Sequence, residues 1–160
     1  MAHRRFLVPL AATAQLIALP AAPGAVHAAD ALCEPLQTVI AAAEKDFASL
    51  GQLPGGSGVR KAPGSLVLPG TDSCRVHASL KSISYICEKA YPAKSEAAEA
   101  LKALDAGLRA CRPGLTGDEF EGIRIYEEPY PARDTYLMMD LGVDWLDGKY
   151  VLSLGIGLDN

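Results

Sequence analysis

Three side chains are of a type and spacing that could carry catalysis: His77, Asp140 and Asp144. If their segment is extended, Asp140 and Asp144 share one face of a strand, because side chains alternate from face to face. Two carboxylates so placed could exchange protons as acid and base, or hold calcium. Their expected cross-strand neighbours, Gly155 and Val151, bring no further oxygen, and only Ser153 lies between. The pair therefore reads as a solvated acidic face, and as a binding feature before a catalytic one. His77 alternates with core residues beside Arg75, which places it on an open surface. It is the only histidine once residues 1–28 are removed. One imidazole supports neither a histidine zinc site nor more than one base-activated nucleophile. We therefore expect no catalytic residue, no metal and no cofactor.

The glycine-rich segments do not change that expectation. Gly55-Gly56-Ser57-Gly58 is followed by a loop, and Gly155-Ile156-Gly157 lies in a strand, so neither opens a helix as a phosphate loop must. For recognition, Glu127-Glu128-Pro129-Tyr130-Pro131 stands out as a proline-stiffened link between strands. Tyr130 there, with Tyr126 and Tyr136 nearby, would offer the amphipathic rings that interfaces favour.

The elements that position these residues follow an export segment. His3, Arg4 and Arg5 precede a short apolar run, Phe6 to Leu19, and Val26-His27-Ala28 offers small or aliphatic residues for cleavage after Ala28. The run is too short to span a bilayer, so no stable membrane span is expected after cleavage. Cys33 follows Leu32, which disfavours a lipid anchor. Residues 29–160 then form one periplasmic or secreted domain. Loss of Arg4 and Arg5 leaves 13 basic against 19 acidic side chains, a net charge of −6. That balance excludes nucleic acid as the expected partner, since phosphate contacts need a basic surface, and disfavours adhesion to anionic membranes.

Helical periodicity runs from Glu34 to Leu50, with Pro35 in the first turn and Gly51 as a left-handed stop. Residues 51–70 are glycine- and proline-rich and read as a partly mobile loop, with Leu66 to Leu68 available as a short edge segment or to cover the core. Residues 73–79 and 82–89 alternate as a hairpin that pairs Ala78 with Ile83, Val76 with Tyr85 and Cys74 with Cys87. A second helix follows, with Ser95 as its cap and Ala97, Leu101, Leu104, Leu108 and Cys111 on one stripe; Gly107 would permit close packing on the sheet. A strand over 120–127 directs Ile123 and Ile125 inward. The last two strands meet at Asp147-Gly148, a type I′ turn signal. This turn pairs Trp145 with Tyr150, Val143 with Leu152, Leu141 with Leu154, Met139 with Ile156 and Leu137 with Leu158, all toward the core.

The order is α-β-β-α-β-β-β, and each element has one apolar side. The expected fold is an α+β two-layer sandwich, a mostly antiparallel five-stranded sheet with both helices on one face. Four cysteines in an oxidising compartment imply two bridges. The hairpin register favours Cys74–Cys87 with Cys33–Cys111; the alternative, Cys33–Cys74 with Cys87–Cys111, would staple each helix to the sheet. Together these readings favour a small exported non-catalytic protein that binds another protein of the envelope or exterior, as an inhibitor or immunity-type module. A carboxylate-dependent hydrolase and a small-molecule or ion carrier are the alternatives.

Overall fold

A computed structural model describes residues 24–159, with side chains from residue 31 onward. The expected signal segment lies outside the described residues over positions 1–23. Helix α1 (Gly24–Ala43) is followed by strands β1 (Arg60–Pro63), β2 (Ser73–Ala78) and β3 (Ile83–Tyr91). Helix α2 (Lys94–Cys111) then leads to β4 (Thr116–Phe120), β5 (Ile123–Tyr130), β6 (Thr135–Leu146) and β7 (Lys149–Leu158). The chain is thus α+β, but the sheet has seven strands rather than five, in the order β1-β2-β3-β7-β6-β5-β4. Every neighbouring pair is antiparallel.

Both extra strands lie at the edges. β1 comes from the segment expected to be a mobile loop, where Arg60 to Pro63 pair with β2. Leu68, farther along, is fully buried and closes the core from the side. The phenol of Tyr85 anchors the stretch between them: it donates to the Leu66 carbonyl at 2.5 Å and accepts from the Leu66 amide at 3.2 Å. β4 arises because Glu121 and Gly122 both take positive φ, 50° and 82°, and reverse the chain as a tight turn. The single strand expected over 120–127 is therefore the end of one strand and the start of another.

The central hairpins match the alternation in the sequence. All five expected β6–β7 pairs occur, from Leu137 with Leu158 to Trp145 with Tyr150. Asp147 and Gly148 have φ of 51° and 78°, the two positive values that a type I′ turn requires. Trp145 nevertheless stays 60% exposed. Its ring meets that of Tyr150 at a tilt, with centroids 4.5 Å apart and planes inclined by 60°. In the first hairpin Cys74 faces Cys87, Val76 faces Tyr85 and Ala78 faces Ile83. Leu80-Lys81 is poor turn chemistry, and Ser79 compensates: its Oγ accepts from the amides of Lys81 and Ser82 at 3.2 and 3.1 Å.

Helix boundaries shift from those expected. α1 begins at Gly24, so it runs across the expected cleavage point and places Pro35 in its interior. It ends at Ala43, where Asp46 and Phe47 turn left-handed. Phe47 and Leu50 remain buried from successive turns rather than from the helix. Gly51 is not left-handed; a Cβ there would meet the Pro63 carbonyl oxygen at 2.7 Å and Val76 at 2.9 Å, so close packing demands the glycine. In α2 the cap residue is Ala93, without a side-chain bond, and Ser95 lies within the helix. Gly107 serves a helix–helix approach, since a Cβ there would lie 2.9 Å from Leu32 of α1.

Both helices cover one side of the sheet, enclosing a core that includes Leu36, Ile40, Leu104, Leu108, Leu141, Leu154 and Ile156. Disulfides join Cys33 to Cys111 across the helix pair and Cys74 to Cys87 across β2 and β3. Among the described residues no helix is long and apolar enough to cross a membrane.

Candidate functional site

Because both helices lie on one side, no described helix covers the other side of the sheet. Strand alternation decides which residues stand there. Across its middle the register aligns Pro63, Arg75, Ile86, Gly155, Asp140, Ile125 and Asp118. The adjacent row runs Lys61, His77, Ser84, Gly157, Met138, Glu127 and Thr116. On the other flank Gly142 meets Ile123, whose neighbour on β4 is Phe120. Phe120 is 63% exposed.

Charge divides this face. Asp118, Glu127, Asp140 and Asp144 are all exposed on the β4–β6 half. Lys61, His77 and Arg75 stand on the β1–β2 half. Arg75 is committed to Glu88 through a two-pronged ion pair. Burial, with the charges of Lys61 and Arg75, holds the His77 pKa below its ordinary value, so the ring is neutral at physiological pH. Asp140 lies flat over Gly155, where a Cβ would collide with its carboxylate. Part of its side chain reaches solvent, yet protein packed around the carboxylate raises its pKa, and bonds from its own amide and that of Gly155 only partly offset this. The expected neighbours of the aspartates are confirmed: Asp140 faces Gly155 and Asp144 faces Val151. Among the described residues no group of three or more His, Cys, Asp or Glu side chains is arranged to hold a metal ion.

The expected tyrosine patch is not assembled. Residues 127–130 belong to β5 rather than to a loop, and alternation sends them to opposite sides. Glu127 joins the open face, while Tyr126 is fully buried against the helices. Its hydroxyl donates to Asp105 of α2, which also binds Arg124 and Arg109. Glu128 is held by Arg112, and Tyr130 donates to the Ile40 carbonyl at 3.3 Å. Ile123 and Ile125 are correspondingly outward, the reverse of the expected facing. The reason is register: Tyr126 opposite Met139 fixes Ile125 opposite Asp140. Tyr136 alone of the three tyrosines is well exposed.

The open-face residues that sequence reasoning passed over are Phe120, Ile86 and Gly142. The available signal was Glu121-Gly122, a hairpin dipeptide that would have placed Phe120 across from Ile123. A separate hollow of about 500 Å³ lies beside α2, lined by Leu32 of α1, Pro69, Tyr91 of β3, Leu104, Gly107 and several alanines. The site and fold define a two-layer α+β sandwich with one bare, charge-divided sheet face. No protein-family model matches the chain, nor does any curated protein or solved structure.

Proposed function

We propose that the chain is an exported, non-catalytic binding module whose bare sheet face receives a protein partner. The observation that carries this reading is the mixed face itself: Phe120, Ile123 and Ile125 stand among four exposed carboxylates on the half formed by β4, β5 and β6. An antiparallel sheet tolerates one solvated face, but such a face is ordinarily polar, and apolar side chains gathered within a charged rim mark interaction surfaces. Gly142, Gly155 and Gly157 lower the relief of the surface between them and allow a partner to approach the backbone. The carboxylates select a partner with an apolar centre and basic side chains around it, and would speed its encounter. Export is supported by the two disulfides, which persist in oxidising compartments.

A photo-reactive residue at Ile125 tests the reading in cells that make the protein. One dominant protein adduct is expected from that position and none from Ala103 on the outer side of α2. Phe120→Asp should abolish the adduct without changing the circular dichroism spectrum. Equal adducts from both positions, or none from Ile125, would overturn the assignment.

A further inference from the structure

The β6–β7 hairpin projects beyond its neighbours. β6 continues to Leu146 after its last pairing with β5, Leu141 opposite Arg124, and β3 follows β7 only to Tyr91 opposite Tyr150. Alternation sends the two apolar residues of this tip to opposite sides. Trp145, paired with Tyr150, is on the helix side and 60% exposed; Leu146, paired with Lys149, is on the bare side and 58% exposed. The tip is built to hold its shape: the positive φ angles of Asp147 and Gly148 set the turn, and the Trp145 and Tyr150 rings are in contact. Asp144 and Asp147 on the hairpin are exposed and hold no ion pair among the described residues, and the same is true of Glu121 on the β4–β5 turn, whose Ile123 packs on Gly142. By contrast Arg75, Arg109, Arg112, Arg124 and Arg133 are each bound to a carboxylate. Lys149 is the tip's own cation.

We infer that this tip enters, end-on, a cleft in the protein partner proposed for the bare face, a cleft with apolar walls and basic side chains at its mouth. The inference rests on that reading and adds the shape of the partner. A flat partner could cover Leu146 or Trp145 but not both, because the hairpin itself lies between them. Walls on two sides cover both. Tryptophan and tyrosine are among the residues that most often carry binding energy at the centre of an interface, and a turn already fixed loses little conformational freedom on insertion. The unpaired carboxylates decide the occupant. They attract a basic rim and repel a second copy of the tip, which would bring Asp144 and Asp147 against their own kind. In a bilayer Asp147 would lead, where a carboxylate is costly.

For the test, the protein cross-linked at Ile125 is identified, purified and titrated into the full oxidised chain. Trp145 is the chain's one tryptophan, so 5-fluorotryptophan labels a single ring. Its fluorine resonance should shift with the partner and not with phosphatidylcholine vesicles. Trp145→Ala and Leu146→Ser should each weaken the apparent Kd about tenfold or more. Leu80→Ser, exposed at the opposite end of the sheet, should leave it within about twofold. Circular dichroism checks each variant; should Trp145→Ala not fold, the fluorine shift in the parent chain still decides. No adduct at Ile125 removes both readings. An adduct with no fluorine shift, or with Kd unchanged in both tip variants, overturns the insertion alone. A loss in only one of the two variants means a flat contact on one side, and a shift with vesicles alone means a lipid surface. A dimer of the purified chain that Trp145→Ala dissolves means a second copy. Each of these three outcomes overturns the cleft.

Discussion

Tyr126 on β5 donates its phenolic hydrogen to Asp105 on α2, and this bond ties the outer half of the sheet to the helical layer. Arg124, two residues earlier on the same side of β5, binds the other oxygen of that carboxylate, and Arg109 binds it from one helical turn along. Asp105 is thus the meeting point of one phenol and two guanidinium groups in a place where apolar packing has thinned.

Replacing Asp105 with alanine should therefore do more than remove one charge. It leaves the buried Tyr126 hydroxyl and the half-buried Arg124 without their acceptor. A loss of about 2–3 kcal/mol is expected, since unsatisfied buried donors forfeit their full desolvation energy. The urea midpoint should fall while the slope of the transition stays constant. A midpoint equal to that of the parent would mean the network contributes nothing to folding.

Acid should loosen the same contact. Partial burial alone would raise the Asp105 pKa, but bonds from Tyr126 and Arg109 and the charge of Arg124 outweigh it and hold the carboxyl below its ordinary 3.8. The Arg75 guanidinium likewise holds Glu88 below its ordinary 4.5. A depressed carboxylate pKa stabilises the fold fully above the unfolded value, and that stability is lost as pH falls through the folded value. Stability should accordingly be flat near neutrality and drop below about pH 4. In Asp105→Asn the acid drop should be shallower, measured as urea midpoint against pH; an identical drop would exclude Asp105 as a contributor.

The central sheet was legible in the sequence because its alternation is strict. Leu137 to Trp145 and Tyr150 to Leu158 keep apolar residues on one face, and a one-residue slip would have exposed them all. The cysteine pairing was half legible, following from the β2–β3 register once that was fixed. The edges were not legible, and for a physical reason. β5 places Arg124, Tyr126 and Glu128 inward and Ile123 and Ile125 outward, because its inner side meets Asp105 and Arg112 rather than hydrocarbon. Polarity alternates there with the opposite sign, so Tyr126 and Tyr130 were assigned to the wrong surface, whereas Tyr136 on β6 is exposed. Asp140 and Asp144 sit where alternation placed them, since β6 is central.

The two disulfides should differ in worth. Cys33–Cys111 spans 78 positions and Cys74–Cys87 spans 13. In the chain-entropy model these loops correspond to about 4.5 and about 3 kcal/mol. Cys33→Ser/Cys111→Ser should therefore lower the melting temperature more than Cys74→Ser/Cys87→Ser. Non-reducing peptide mapping of the parent should yield the two native pairs; recovery of a Cys87–Cys111 peptide would contradict the structure.

Gly148 offers a test of backbone conformation with packing removed. Its φ is 78°, and a Cβ built there meets nothing within 4 Å. Gly148→Ala should thus destabilise only through the left-handed penalty, about 1–2 kcal/mol. Asparagine tolerates that region better than alanine, so Gly148→Asn should recover part of the loss. Trp145 and Tyr150, in tilted ring contact beside the turn, report whether the hairpin survives. Their near-ultraviolet circular dichroism should persist in both variants while the urea midpoint falls in alanine more than in asparagine. The reverse ranking, or collapse of the aromatic signal in both, would mean that the turn holds β6 and β7 together by something other than its two positive φ angles.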